Sequence, residues 1–199
     1  MSEYREPVGC ILLAIHEAGH AVIAAHLRVP FRSVTIRPTV EGEKTTSEGH
    51  MRLILKERTF TGSREARIRK LLHNALVTVA GRVAQEELGG LSLVMSERDT
   101  SEEDERDLHH LAEELGLPTA QFESWREYLR DEVRTTIRTV PCVREAINRL
   151  EQELRDANKG VSSKRVREIL RDARKCEDAW AVVGPSGRSH RRSPRRRST

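Results

Sequence analysis

The chain has 199 residues, is 37% hydrophobic, 4% aromatic and 33% charged, and carries a formal net charge of +4. This length suits one domain with its own core, and the scarcity of aromatics leaves that core to Leu, Val, Ile and Ala, which favours helices over sheet. Much of the positive excess lies in an Arg-rich C-terminus, so the body is near neutral and gives no general sign of nucleic-acid binding; nor does any apolar run reach the roughly 20 residues of a membrane span.

The first predicted element is a helix over residues 10–28, containing the stretch AIHEAGHAVIAAH at 14–26. Pro30 and Pro38 bracket FRSVTIR, where Val34 and Ile36 alternate with polar residues as in a strand. A polar loop, TVEGEKTTSEG, is expected next, then a second strand in HMRLIL with Met51, Leu53 and Leu55 on one side. From Ser63 to Leu88 the period becomes helical, with Ile68, Leu71, Leu72, Ala75, Leu76, Val79 and Val83 as the apolar stripe and Gly89–Gly90 as its end.

Residues 91–100 read as a connector. Ser101 opens a third helix with the stripe Leu108, Leu111 and Leu115. A fourth starts at Pro118 and runs to about Arg138. A fifth starts at Pro141, Pro being favourable at a first helical position, and turns Val143, Ile147, Leu150 and Leu154 inward. Gly160 punctuates the chain, and Val166, Ile169 and Leu170 mark a short last helix. After Cys176 the segment GPSGRSHRRSPRRRST has no apolar residue with which to order itself. The fold class is therefore mainly α-helical (α+β), a helical bundle with a small two- to three-stranded sheet beside the first helix.

Cys10, Cys142 and Cys176 are odd in number and far apart, and form no paired-cysteine zinc or redox motif. With no basic start or cleavage site of a signal peptide at the N-terminus, they predict a reducing, cytoplasmic location.

The chemistry concentrates in the first helix. His16 and His20 stand four apart, so a helix places both on one face, each able to offer a ring nitrogen to one Zn²⁺. Glu17 then lies beside the ion, where it can accept a proton from water and pass it to a leaving amine. The bland alternative makes His16 and His20 satisfied core histidines with Glu17 as their partner. His26, at the end of the same helix, reads as a C-terminal capping cation.

A catalytic zinc takes three protein ligands and leaves a fourth position open. No further His closely follows His20, so the third ligand comes from elsewhere. Asp104 extends the buried stripe of Leu108, Leu111 and Leu115, where a solvated Asp does not belong. It also fits a capping box opened by Ser101, its acids favoured by the helix dipole. Asp107 and Asp99 are the competing ligands.

These residues resemble a family. HEAGHAV, then AGRVAQEELGG about sixty residues on, then an acidic helix start leading to LAEELG, looks like the peptidase domain of the FtsH-type ATP-dependent zinc metalloproteases. In that family the third ligand is an Asp at a helix start, followed seven and eight residues later by an apolar residue and an Ala. Leu111 and Ala112 hold those places relative to Asp104. VTIRP followed by EGHMRLI resembles the family's two strands near the active site, and residues 143–170 resemble its closing helical segment. The match covers roughly residues 10–173.

The resemblance implies a zinc metalloendopeptidase acting on unfolded proteins or peptides, with His16, His20 and Asp104 on the metal, Glu17 as general base, and residues 50–55 as an edge strand that pairs with substrate. It implies a domain layout of an N-terminal tail (1–9), the peptidase domain (10–173) and a disordered Arg-rich tail (174–199). The chain departs from the family in having no G-x-x-x-x-G-K-[ST] phosphate loop, so it is expected to be a stand-alone domain, with a separate ATPase as a possible partner and an oligomer possible. Glu102 and Glu103 precede Asp104 in place of the family's small residue and Asn. Gln85 replaces the first of two family acids, and Glu86 keeps the second, either to orient a zinc-bound His or as a surface residue. Two other functions remain open: an inactive binding or adaptor protein on the same scaffold, and contact of the basic tail with nucleic acid or an acidic partner.

Overall fold

The computed structural model describes residues 8–41, 44–53, 63–89, 101–156 and 160–183. Along the chain run α1 (Val8–His26), β1 (Phe31–Glu41), β2 (Lys44–Leu53), α2 (Arg64–Leu88), α3 (Ser101–Leu115), a 3₁₀ turn (Thr119–Gln121), α4 (Phe122–Thr139), α5 (Pro141–Asp156), β3 (Val161–Ser162) and α6 (Ser163–Val183). The protein is mainly helical with a small antiparallel sheet, as its composition predicts. Among the described residues no helix is long and apolar enough to cross a membrane.

Helix α1 is the axis of the molecule. Leu12–Ala25 are buried on every side, which a helix tolerates only where other elements surround it. It packs against α2, α5, α6 and the β1–β2 hairpin. The helix ends with Arg28 in the left-handed region (φ 61°), the Val29 N–H bonding the Ala24 carbonyl at 2.8 Å and the Arg28 N–H that of Ala25 at 3.3 Å. This is a Schellman-type stop, made without the usual glycine, and Pro30 follows it. His26 is not the capping cation expected. Burial and the neighbouring Arg174 lower its pKa, and its Nδ1 lies 3.4 Å from the Arg174 guanidinium, which donates to a neutral ring.

The sheet has the order β2-β1-β3. β1 and β2 form a long hairpin with Val34 opposite Met51 and Ile36 opposite Gly49, and β3 adds two residues opposite Ser33 and Val34. The pairing from Pro38–Ser47 to Glu41–Lys44 overturns the expected polar loop. Its Thr and Val residues suit strands, and a hairpin with polar residues throughout hides from a reading that seeks apolar alternation. Pro38 also sits inside β1 rather than ending it. β1 has β3 beside it only at Ser33 and Val34, so a missing N–H is tolerable farther along. Leu55 lies outside the described residues.

Helix α2 is capped by Ser63, whose hydroxyl accepts the Ala66 N–H at 3.3 Å, and Gly89 closes it with its N–H on the Gln85 carbonyl at 2.9 Å. Its first turns are exposed, Ile68 included at 38%, contrary to the expected stripe. From Asn74 to Gln85 it is buried nearly all round, between α1 on one side and α3 and α4 on the other. The predicted fourth helix begins with the 3₁₀ turn and ends at Thr139. Helix α6 is longer than expected, running to Val183 past the boundary drawn at 173; residues 184–199 lie outside those described.

Candidate metal centre

Close packing of α1 on α2 creates the site. A β-carbon at Gly19 would lie 2.6 Å from Ala84 Cβ and 2.7 Å from the Ala80 carbonyl oxygen, so only glycine lets the two helices approach this far. One turn along, His16 and His20 lie against α2 at Gly81. A β-carbon there would stand 2.7 Å from His16 Nε2 and closer still to His20 Nε2. Gly81 keeps open the space into which both imidazoles point.

Asp104 enters from the first turn of α3. Burial of Leu108 and Ala112 seats that helix, and the Arg126 guanidinium of α4 donates to the adjacent Glu105 at 2.6 Å. The Asp104 Oδ2 atom comes within 3.2 Å of His16 Nε2 and 3.3 Å of His20 Nε2, and the two Nε2 atoms are 2.9 Å apart. Asp104 therefore turns Oδ2 to the histidines, while it stays, with Glu102 and Glu103, in the first turn of α3. Asp107 is exposed on the same helix, outside the cluster, and Asp99 lies outside the described residues.

His20 Nδ1–H donates to the Val77 carbonyl at 2.7 Å, which turns Nε2 toward the centre. His16 Nδ1 and Gln85 Oε1 are both buried and make no hydrogen bond. Gln85 is fully buried, and its amide Nε2 donates to the Leu12 carbonyl at 3.0 Å. Three acceptors converging within about 3 Å repel one another unless a cation or a proton lies between them.

Burial and the charges within the cluster set the titration shifts. Burial lowers His16, and the charge of His20 adds to it. Burial acts to lower His20 as well, but the Asp104 carboxylate overcomes it and lifts His20 to about 9. Against the penalty of burial, His20 and His16 hold Asp104 well below the usual carboxylate range. Glu17 stands apart. Its Oε2 is buried with no hydrogen-bond partner, so it is not the histidines' partner of the bland reading. Burial pushes it up to about 7, with His20 pulling the other way.

His16, His20 and Asp104 form a group that could hold a metal ion. The expected residues come together, and two that the sequence reading passed over join them, Gly81 and Gln85. Neither carries a local signal, because what each does depends on how closely α1 approaches α2. Glu86, offered as an orienting residue, faces the other way, into Arg82, Arg130 and Arg134. Searches against protein-family descriptions and curated proteins find no match for this chain.

Proposed function

We propose that the protein is a zinc metallopeptidase of the FtsH-like type, hydrolysing peptide bonds of unfolded chains or peptides. The observation that carries this reading is the convergence of His16, His20 and Asp104 beside a buried, unpartnered Glu17. The donor separations of 2.9, 3.2 and 3.3 Å approach the edges, about 3.3–3.4 Å, of a tetrahedron with ligands 2.0–2.1 Å from its centre. Two imidazoles and one carboxylate are a donor set suited to zinc with one position left for solvent or substrate. The order of histidine helix, antiparallel hairpin, long second helix and acidic helix start agrees with the family resemblance.

A bound zinc supplies Lewis acidity, polarising a peptide carbonyl and making water more acidic. Glu17 takes the proton of the attacking water and returns it to the departing amine nitrogen as the C–N bond breaks. Its burial beside the ligands, with Oε2 unpartnered, leaves the carboxylate free to make both transfers. The Val77 carbonyl accepts from His20 Nδ1 and so presents His20 Nε2 to the centre. Among the described residues β2 pairs only with β1, so its outer edge offers backbone groups to an extended peptide with little demand on sequence.

Zinc content and cleavage of an unfolded protein test the reading together. Wild type is expected to bind one zinc per chain, and His16→Ala, His20→Ala and Asp104→Ala to lose it, while Asp107→Ala keeps it. Glu17→Gln should retain zinc yet cut about 10²–10⁴-fold more slowly. Undiminished cleavage by Glu17→Gln refutes the catalytic assignment, and zinc retained in the three ligand variants refutes the site.

A further inference from the structure

Beside the metal centre, on the side of α2 that faces α3 and α4, lies a cavity of about 440 Å³. Asp104 forms part of its wall, so the cavity adjoins one of the three candidate metal ligands. Its floor is apolar, made by Val79 and the buried Leu108 with Thr78 beside them. Arg82, Arg126 and Arg130 supply guanidiniums around it.

Those three cations are not equally compensated. Arg126 is held by Glu105 at 2.6 Å and by Glu123 at 2.5 Å. Arg130 binds Glu86 and Glu127. Arg82 has only a share of Glu86: its Nε donates to that carboxylate at 3.3 Å, and Glu86 is divided among Arg82, Arg130 and Arg134. The two terminal nitrogens of Arg82 have no partner among the described residues, although its side chain is only 28% exposed. Of the acids around the cavity, Glu105 is engaged by Arg126, Asp104 faces the histidines, and Glu102 is exposed at the rim.

An under-compensated guanidinium, anchored at Nε and adjoining an apolar floor, suits a carboxylate on a short aliphatic stem. We infer that this cavity receives the side chain of a substrate residue flanking the scissile bond, and that Arg82 selects glutamate there through its terminal nitrogens. The inference rests on the peptidase reading for the word substrate, and on the cavity alone for acid recognition.

Quenched peptides differing only in Glu or Gln at one position, moved through each position around the cut, test it in the zinc-loaded protein. Wild type should show kcat/KM higher for Glu by about 10-fold or more at one position. Arg82→Gln should slow the Glu peptide toward the Gln value, Arg82→Lys should keep part of the preference, and Arg82→Glu should favour Lys. In parallel, calorimetric titration of zinc-loaded Glu17→Gln protein with the same pairs reads binding without cleavage and should show a similar ratio, lost when Arg82→Gln is added. Cleavage by wild type with no Glu preference at any position overturns the inference and leaves the peptidase reading standing, whether or not the variants fold. Glu-selective binding that depends on Arg82, with no cleavage of any peptide, upholds the pocket and overturns the peptidase reading. Absence of both overturns both.

Discussion

Helix α2 carries two clusters of ionisable groups on opposite sides. Toward α1, two histidines and an aspartate are packed among alanines and glycines, and the nearby Glu17 Oε2, His16 Nδ1 and Gln85 Oε1 lack hydrogen-bond partners. Toward α4, Glu86 and Glu87 meet Arg130, Arg134 and Arg138, which includes a bidentate pair from Arg138 to Glu87 at 2.7 and 2.8 Å. In the second cluster every charged group has a partner of opposite sign, although Arg130 Nε is left without a hydrogen bond, and most of its members are about one-quarter exposed or less. The first is buried, pairs His20 with Asp104 at 3.3 Å, and still leaves those three atoms without partners, an arrangement that costs stability. The difference separates a scaffold contact from a candidate site.

Metal removal should produce the largest change, and only the first cluster should respond. A ligand at 1,000 times its Kd stabilises a fold by about 4 kcal/mol. For a chain of this size that corresponds to a fall in Tm of about 8–16 °C on chelation. Scanning calorimetry of zinc-loaded and chelated protein measures it. A Tm unmoved by chelation means that the cluster is satisfied without a cation.

The two close-contact glycines distinguish packing from chemistry. Gly81→Ala drives a methyl group into the space shared by the two Nε2 atoms and should weaken zinc binding by more than about 100-fold. Gly19→Ala forces α1 away from Ala80 and Ala84, costing about 1–3 kcal/mol of stability, with a smaller loss of zinc affinity. Competition with a chromogenic chelator reads affinity, and denaturant melts read stability. Equal zinc losses would show that helix spacing, and not overlap with the ring nitrogens, governs the site.

Gln85 offers a finer cut. Gln85→Ala leaves His16 Nδ1 without its buried neighbour and should weaken zinc binding about 10–100-fold, whereas Gln85→Glu restores an acceptor and should recover most of it. If Gln85→Ala binds zinc as wild type does, Gln85 only fills space.

What the sequence disclosed about the site follows the same division. His16, Glu17 and His20 were legible because a four-residue helical spacing is local and fixes which side chains share a face. Asp104 was half legible: its place on the Leu108 stripe marked it as inward, but a helix-start acid has an equally local explanation as a cap. Gln85 and Gly81 were not legible as site residues. Their roles depend on how closely α1 approaches α2, which is set by Gly19 more than sixty positions away. The fold shows the same limit. The helices announced themselves by periodicity, while most of the β1–β2 hairpin beyond Ile36 did not, because its polar residues carry strand structure through pairing that no local pattern reports.

The smallest expected effect belongs to the second cluster. Glu86→Gln removes the charge shared by Arg82, Arg130 and Arg134, but the last two keep other acids: Glu127 for Arg130, and Glu87 and Asp131 for Arg134. Their guanidiniums are about one-quarter exposed, so screening by water holds the loss to about 1 kcal/mol or less. Being electrostatic and near the surface, that loss should shrink in 1 M salt, where the Debye length falls to about 3 Å. Zinc affinity should not change, because Glu86 faces away from the histidines. Paired Tm measurements at low and high salt, with zinc titrations alongside, check all three statements. A salt-independent loss accompanied by weakened zinc binding would mean that the two sides of α2 are mechanically coupled, and that the arginine fan helps to set the position of the metal ligands.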